Sequence, residues 1–432
     1  MARLSAPKGT QDILPEAAPK WQRIEALFCE TVELYGYREI RVPTFEMTEL
    51  FQRGVGDSTD VVQKEMYTFD DKGGRSMTLR PEGTAGVVRA FIENGRASQP
   101  MPQRYYYDIT AFRYENVQKG RMREFHQLGV EAFGSQGPAI DAEMIVMLQR
   151  FFERLGLGDL ELRINNLGTP ETRSAYLDIL KDYLRPRKDE LCDDCQDRLE
   201  RNPLRVLDCK KAGCQAVTQD APLMADHLDE RSEAHFNGVQ ERLQDLGVEF
   251  IVDKRIVRGL DYYTDTVFEF VSEHVGTQGT ICGGGRYDVL MKQLGGPDVP
   301  GLGFALGIER LLMELEARGI EPAEPKGPDL IFVTLGEAAE RAAAKVADQL
   351  RHDGYYVEID LMSRSLKAQM KYANKQTARY TIVVGDEELE TGQAVLHPMS
   401  GGEDLTLNWQ DPTALSSALK QTQSDDGGNT GE

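Results

Sequence analysis

Thr110-Ala111-Phe112-Arg113-Tyr114-Glu115, followed after a short polar stretch by Arg121-Met122-Arg123-Glu124-Phe125, is the part of this sequence that decides the fold. Residues 105–114 and 125–133 read as two strands, with the polar residues 115–124 as a long hairpin loop between them. Side chains two apart on a strand share a face, so Arg113 and Glu115 are expected side by side. Lys119, Arg121 and Arg123 make the loop basic, and the second strand carries Phe125, Gln127 and Glu131. The planar fork of arginine suits phosphate oxygens. An isolated Arg-x-Glu is also what an ion-paired surface hairpin displays, and alone it would be read that way.

Upstream, residues 15–35 place Trp21, Ile24, Leu27, Phe28, Val32 and Leu34 near a 3.6-residue period, a helix with Gly36 as its C-cap. Residues 37–42 alternate like a strand that stops at Pro43. Downstream, 139–155 reads as a helix ending at Gly156, and 160–165 as a strand. Residues 169–250 are helical, highly charged and hold four of the six cysteines, the pattern of a helical insertion. Strand signals return at 257–271, a glycine-rich stretch follows from 276 to 303, and 304–318 reads as a helix. Pro322, Pro325, Gly327 and Pro328 mark a linker. Beyond it strands at 329–335, 355–360 and 380–384 alternate with helices at 337–353 and 365–378, which predicts a small α/β domain with some parallel pairing. The expected division is 1–168, an insertion 169–250, 251–320, a linker 321–328, a domain 329–420 and a disordered tail 421–432.

The 432 residues call for two or three domains. Asp and Glu number 71 against 50 Lys and Arg, a net charge of −21, which opposes binding nucleic acid by bulk charge and leaves only local patches for it. No run of eighteen apolar residues is long enough for a membrane span, and residues 1–15 lack the apolar region of a secretory signal. Six cysteines in this length fit a reducing cytosol. There is no P-loop and no His-Glu-x-x-His.

Gly301-Leu302-Gly303-Phe304-Ala305-Leu306-Gly307-Ile308-Glu309-Arg310 is a glycine-rich strand entering a helix. Its Gly-x-Gly-x-x-x-Gly spacing and poor βαβ context argue against a dinucleotide loop. Together with the hairpin it resembles motifs 3 and 2 of class II aminoacyl-tRNA synthetases, and the strand ending at Pro43 resembles motif 1, the dimer-interface element. Arg258-Gly259-Leu260-Asp261-Tyr262-Tyr263 and Gly283-Gly284-Gly285-Arg286-Tyr287-Asp288 resemble the two histidine-specific signatures of the histidyl-tRNA synthetase family. Leu79 to Thr84, His126 to Gly129 and Pro7 to Asp12 fit the same family, so the likeness runs from about residue 5 to 420.

The resemblance implies an α+β protein: an antiparallel-sheet catalytic domain with a helical insertion, and a C-terminal α/β anticodon-binding domain. It implies a cytoplasmic homodimer that activates L-histidine with ATP and Mg²⁺ and transfers it to its tRNA. It places Arg113 and Arg258 as catalytic cations at the α-phosphate, and Arg310 on ATP near the γ-phosphate. Phe125 would stack on adenine opposite Arg310, with Glu115 at the adenine edge and Arg121 on ATP or the tRNA end. Glu82, Thr84 and Gln127 would hold the amino-acid end of histidine, and Glu131, Tyr263 and Tyr287 would surround its imidazole. A non-catalytic paralogue, the regulatory subunit of ATP phosphoribosyltransferase, typically lacks the C-terminal domain and has eroded signatures, whereas this chain keeps both.

Two features stand apart from the signatures. Arg364, Lys367, Lys371, Lys375 and Arg379 put five positive charges into residues 363–380 with no acid among them. Four of them recur every fourth residue, a stripe on one helix face expected to meet the tRNA. Without this run the 14 acids and 9 bases of residues 329–420 would leave that domain far more acidic. Cys192-x-x-Cys195 and, thirteen residues on, Cys209-x-x-x-x-Cys214 fit either four ligands to a structural Zn²⁺ or four reduced, unligated thiols. The unligated reading is preferred, since the resembled family does not require zinc.

Overall fold

The computed structural model describes residues 4–56, 59–274, 279–323 and 325–421. The period read around residues 15–35 folds as the helix Ala18–Leu34, which buries Trp21, Ile24, Leu27, Phe28 and Val32. It stops where Gly36 takes a φ of +79° and donates its N–H to Glu33 O at 3.0 Å, a backbone that a Cβ would strain. Burying each such side chain contributes about 1.5–3 kcal/mol, so the packed face, more than helix propensity, holds this element.

The chain divides into two compact units between residues 324 and 325. The first contains β1 (Arg38–Glu39), β2 (Phe45–Met47), β3 (Thr68–Asp70), β4 (Ser76–Leu79), β5 (Gln103–Phe112), β6 (Glu124–Phe133), β7 (Glu161–Asn166), β8 (Ile251–Val252), β9 (Thr264–Val271), β10 (Thr280–Arg286) and β11 (Gly301–Gly307). Eight of these form one sheet in the order β1-β5-β6-β11-β10-β9-β7-β8, antiparallel except for the edge pairs β1–β5 and β7–β8. The others form a small antiparallel sheet, β2-β4-β3.

Side-chain alternation gives the large sheet two different faces. On one, Tyr106, Leu128, Val130, Phe268, Phe270 and Phe304 pack under helices including Ala18–Leu34 and Pro138–Arg154. On the other, strand register aligns Tyr107, Gly129, Ala305, Gly283 and Glu269 in one row across the sheet. The next row is Tyr105, Glu131, Gly303, Gly285 and Val267. Glycines from three strands thus leave a bare floor.

Several elements differ in extent from the sequence expectation. The strand at 37–42 is regular only over β1, because its pairing with β5 ends after Ile40 N–H meets Tyr106 O. The helix expected from 304 starts at Ile308, since residues 301–307 are claimed by pairing with both β6 and β10. Residues 257–263 form no strand, leaving Arg258 on a loop. Between 169 and 250 all regular structure is helical, but the helices pack in two places. Tyr176, Leu180, Leu199, Val206 and Met224 share a small core of their own, while Phe236, Val239 and Leu243 of helix Glu230–Asp245 join the core under the large sheet.

A buried ion pair fixes one end of β10. Arg286 meets Asp141 through Nε at 2.9 Å and Nη2 at 2.6 Å, and also donates to Ser135 O and Gly137 O. Removing either partner would strand a buried charge, at about 3–5 kcal/mol.

The second unit contains β12 (Leu330–Thr334), β13 (Val357–Ile359), β14 (Tyr380–Val384), β15 (Gln393–Pro398) and β16 (Leu405–Asn408) in the order β13-β12-β14-β15-β16. The first three are parallel and the last two pair antiparallel, with helix Glu337–His352 packed on the sheet. The last helix runs to Gln421, and the remainder of the expected tail lies outside the described residues.

Candidate active site

The bare face of the large sheet floors a cavity of about 890 Å³. Arg113, Glu115, Arg121, Phe125 and Arg310 line its wall, as do Glu82, Thr84, Gln127, Tyr263 and Tyr287, with Arg258 and Gly283. The glycines are steric requirements here. A Cβ on Gly303 would lie 2.8 Å from Glu131 Cδ, one on Gly301 2.7 Å from Tyr287 Cδ2, and one on Gly283 2.6 Å from Arg258 Cζ. The Gly-rich run is therefore a strand cleared for other residues' side chains, and no phosphate-binding loop.

Four of the arginines that line it are those the sequence singled out: Arg113, Arg121, Arg258 and Arg310. Arg113 was expected on the strand, but β5 ends at Phe112. The chain then turns away, with Tyr114 N–H donating to Glu65 O at 2.7 Å and Glu115 N–H to Arg113 O at 2.8 Å. This tight turn, not strand alternation, brings Arg113 Nη1 within 3.9 Å of Glu115 Oε1. Arg113 Nε donates to Pro81 O at 2.8 Å, and its Cζ sits 5.3 Å from the centre of the Phe125 ring. Arg121 is 3.3 Å from the other oxygen of Glu115. Arg310 donates to Thr280 O at 2.5 Å. Burial, and then the like charge of Arg121, hold the Arg310 guanidinium below its ordinary pKa. Both cations line the same cavity, which suits an anion there.

Arg258 is held differently. Its Nη1 is paired with Glu269, which also accepts from Thr280 Oγ1 at 3.0 Å, and its Cζ is 5.5 Å from the Tyr263 ring centre. Burial opposes the charge most strongly, but Glu269, Tyr263 and Cys282 together outweigh it and raise the pKa, so Arg258 stays protonated. Its Nε is buried with no hydrogen-bond partner among the described residues.

Around Glu82, Glu131 and Gln127 lies a network of acceptors and hydroxyls. Both oxygens of buried Glu82 accept backbone N–H groups at the start of helix Thr84–Glu93, from Thr84 at 2.6 Å and Ala85 at 2.8 Å. Glu131 is wholly buried and does not reach the cavity wall. Its oxygens accept from Thr84 Oγ1 at 2.7 Å, Tyr107 Oη at 3.2 Å and Tyr287 Oη. Burial pushes its carboxyl up to about 8 against the opposing effect of those donors. Gln127 is buried, and its Oε1 has no partner among the described residues.

Sequence reasoning did not single out Glu269, Tyr107, Tyr262 or Arg205. Glu269 had a readable signal, an acid within the apolar alternation of Thr264–Val271. Tyr107 had none, since only the close approach of Gly83 and Gly129 to its ring shows that it crosses beneath the cavity. Arg205 reaches the cavity from the helical segment and required tertiary contact to find.

The basic run of the second unit divides. Helix Leu366–Lys375 exposes Lys367, Lys371 and Lys375. Arg379 is not on that helix, because Thr377 takes a φ of +51° after its last turn, and Arg379 pairs with buried Asp329 at 3.1 Å. Arg364 pairs with Asp360 at 3.0 Å and lies over the Tyr372 ring. In the first unit, the Sγ atoms of Cys192, Cys195, Cys209 and Cys214 lie within 4.8 Å of one another.

Among known proteins, residues 9–311 match the family model described as histidyl-tRNA synthetase, and residues 329–413 match that of an anticodon binding domain. The histidine–tRNA ligase of Acetivibrio thermocellus is 56% identical over 403 residues, 93% of this chain and 97% of that relative. The crystal structure of the apo histidyl-tRNA synthetase of S. aureus is similar with a TM-score of 0.80 at 41% identity, covering 97% of this chain and 99% of that one. A Bacillus halodurans structure titled as an ATP phosphoribosyltransferase regulatory subunit/histidyl-tRNA synthetase has a TM-score of 0.61 at 23% identity, over 86% of this chain and 97% of that one, a likeness of fold alone.

Proposed function

The chain belongs to the histidyl-tRNA synthetase family, and from that premise we propose how its cavity residues divide the work of the reaction. The enzyme ligates histidine to tRNA at the expense of ATP, through a histidyl-adenylate, with release of pyrophosphate and AMP. A regulatory-subunit role is not favoured, since identity to the ligases holds over nearly the whole chain.

In-line attack of the histidine carboxylate on the α-phosphorus builds negative charge on phosphate oxygens. Arg113 and Arg258 are assigned to the α-phosphate. Arg310 holds the phosphate tail towards the γ end, with Arg121 from the hairpin loop on ATP or the tRNA end. Mg²⁺ enters as part of the ATP substrate, on its phosphates. Phe125 stacks on adenine and Glu115 takes the adenine edge. The observation that carries this reading is the convergence of Arg113, Arg258 and Arg310, from three separate stretches of chain, on one cavity.

Histidine is read at the other wall. Gln127 Oε1, orphaned and buried, accepts from the α-amino group, beside Glu82 and Thr84. One position of the Tyr287 hydroxyl is taken up by its hydrogen bond with Glu131, and the remaining one faces an imidazole nitrogen. Tyr263 closes the ring's other side. An apolar analogue would leave these buried groups unpaired, which gives strong discrimination.

Phe45 and Met47, just after Pro43, and Phe69 of the same small sheet are exposed and form the apolar face of a homodimer. A monomer mass by sedimentation at micromolar concentration would refute this. Lys367, Lys371 and Lys375 contact the anticodon region of the tRNA, and the free cysteines suit a cytoplasmic enzyme. Among the described residues no helix is long and apolar enough to cross a membrane.

The deciding experiment is ATP–pyrophosphate exchange. It should require histidine and no other amino acid, and Arg258→Ala should slow it by about 10²–10³-fold with the fold intact. Exchange near the wild-type rate in that variant would overturn the assignment of Arg258.

A further inference from the structure

The helical segment beside the cavity carries a cluster that the synthetase chemistry does not use. Cys192 and Cys195 sit at the start of helix Asp193–Arg201, Cys209 follows the short helix Leu204–Leu207, and Cys214 lies in helix Ala212–Thr218. Three stretches of chain therefore deliver four sulfurs to one point. All four are free thiols, and Cys192 Sγ is 4.0 Å from Cys209 Sγ, well beyond a disulfide bond of about 2.05 Å.

Since no two of the sulfurs are more than 4.8 Å apart, some point lies within about 2.9 Å of every one of them. Zinc–thiolate bonds are about 2.3 Å, so inward movements of roughly 0.6 Å would complete a tetrahedron. An all-sulfur donor set with no carboxylate selects zinc over magnesium or calcium. The sulfurs are also supported from outside, because Cys192 N–H donates to Cys214 Sγ at 3.3 Å. Cys195 and Cys214 are buried in the segment's own core, and a core this small gains from a staple.

We propose that Cys192, Cys195, Cys209 and Cys214 bind one structural Zn²⁺ as a closed tetrahedral thiolate site. Four protein ligands leave no open position, so the ion does no chemistry on substrate. Its effect is to fix the turn that follows Leu207. Asp208, Lys210 and Lys211 of that turn, with Arg198 and Arg201 of the preceding helix, line the same cavity as Arg113 and Arg258. The ion thereby holds one wall of the catalytic cavity in register.

The full-length chain, tag removed and purified under reducing conditions from zinc-containing medium, should carry one zinc per chain by plasma mass spectrometry. A mercurial thiol reagent should release that zinc as the four thiols react. Exchange into Co²⁺ should give the visible bands of a tetrahedral cobalt thiolate. Cys209→Ser should lower retained zinc at least tenfold, whereas Cys29→Ser should retain it fully. Folded wild-type protein with less than about a tenth of a zinc per chain and no cobalt spectrum would overturn the proposal. So would an iron–sulfur absorbance, or disulfides among these cysteines in freshly isolated protein. The wild-type measurements decide the matter even if a cysteine variant fails to fold.

Discussion

Gly283→Ala tests whether the glycine run acts through Arg258. A methyl group at 283 would lie 2.6 Å from Arg258 Cζ, where ordinary contact begins near 3.4 Å. Arg258 must therefore retreat by about 0.8 Å, and its pairing with Glu269 must loosen. Misplacing a charge by about 1 Å at a reacting centre costs on the order of 10²-fold in rate, or roughly 2.7 kcal/mol in the barrier. The fold should tolerate the change, because the side chain that moves is the flexible end of an arginine on a loop. Histidine-dependent ATP–pyrophosphate exchange measures the loss, and thermal melting checks that the protein remains folded. Coupling makes the test sharp. In an Arg258→Ala background the added methyl has nothing to displace, so Gly283→Ala should then cost little further. If the two losses simply add, or if Gly283→Ala alone stays within about threefold of wild type, the glycine does not act by seating this arginine.

Burial pushes the Glu131 carboxyl up to about 8 in the folded chain, against an ordinary value of 4.5. The folded state then binds more protons than the unfolded one between about pH 4.5 and 8, so this group lowers stability as pH rises through that window. Glu131→Gln should flatten the fall of melting temperature from pH 5 to 8, and an unchanged slope would show that Glu131 ionises normally. Gln127→Met should raise KM for histidine by roughly 10–100-fold, since a buried hydrogen bond to a charged amino group is lost, while the melting temperature holds. An unaltered KM would remove Gln127 from histidine binding. Lys371→Glu with Lys375→Glu should raise KM for tRNA and leave the exchange reaction within about twofold, because exchange needs no tRNA. Equal tRNA affinity across a range of salt would show that the exposed stripe does not meet RNA.

The net charge of −21 opposes nucleic-acid binding only as an average. Charge is distributed locally, and the second unit keeps Lys367, Lys371 and Lys375 exposed while Arg364 and Arg379 are committed to Asp360 and Asp329. The four-residue spacing does place Lys367, Lys371 and Lys375 on one exposed helix. It misread Arg379 because nothing in the spacing says where the helix ends, and Thr377 ends it.

The sequence alone determined the elements with strong local causes. Periodic burial and a left-handed glycine set helix Ala18–Leu34, and the strand–helix alternation after residue 328 set the second unit. It also supplied the signature residues, whose types and spacings are linear facts. Tertiary structure decided what those residues stand on. Gly129, Gly283, Gly285 and Gly303 belong to three strands far apart in the chain, and only register lays them in adjacent rows as one bare floor. The same pairing seats Arg258 over Gly283 beside Glu269 and puts Glu131 behind Gly303. Local sequence encodes the φ, ψ and burial pattern of each strand, whereas the space above a glycine is set by neighbours that the chain reaches only through long-range pairing.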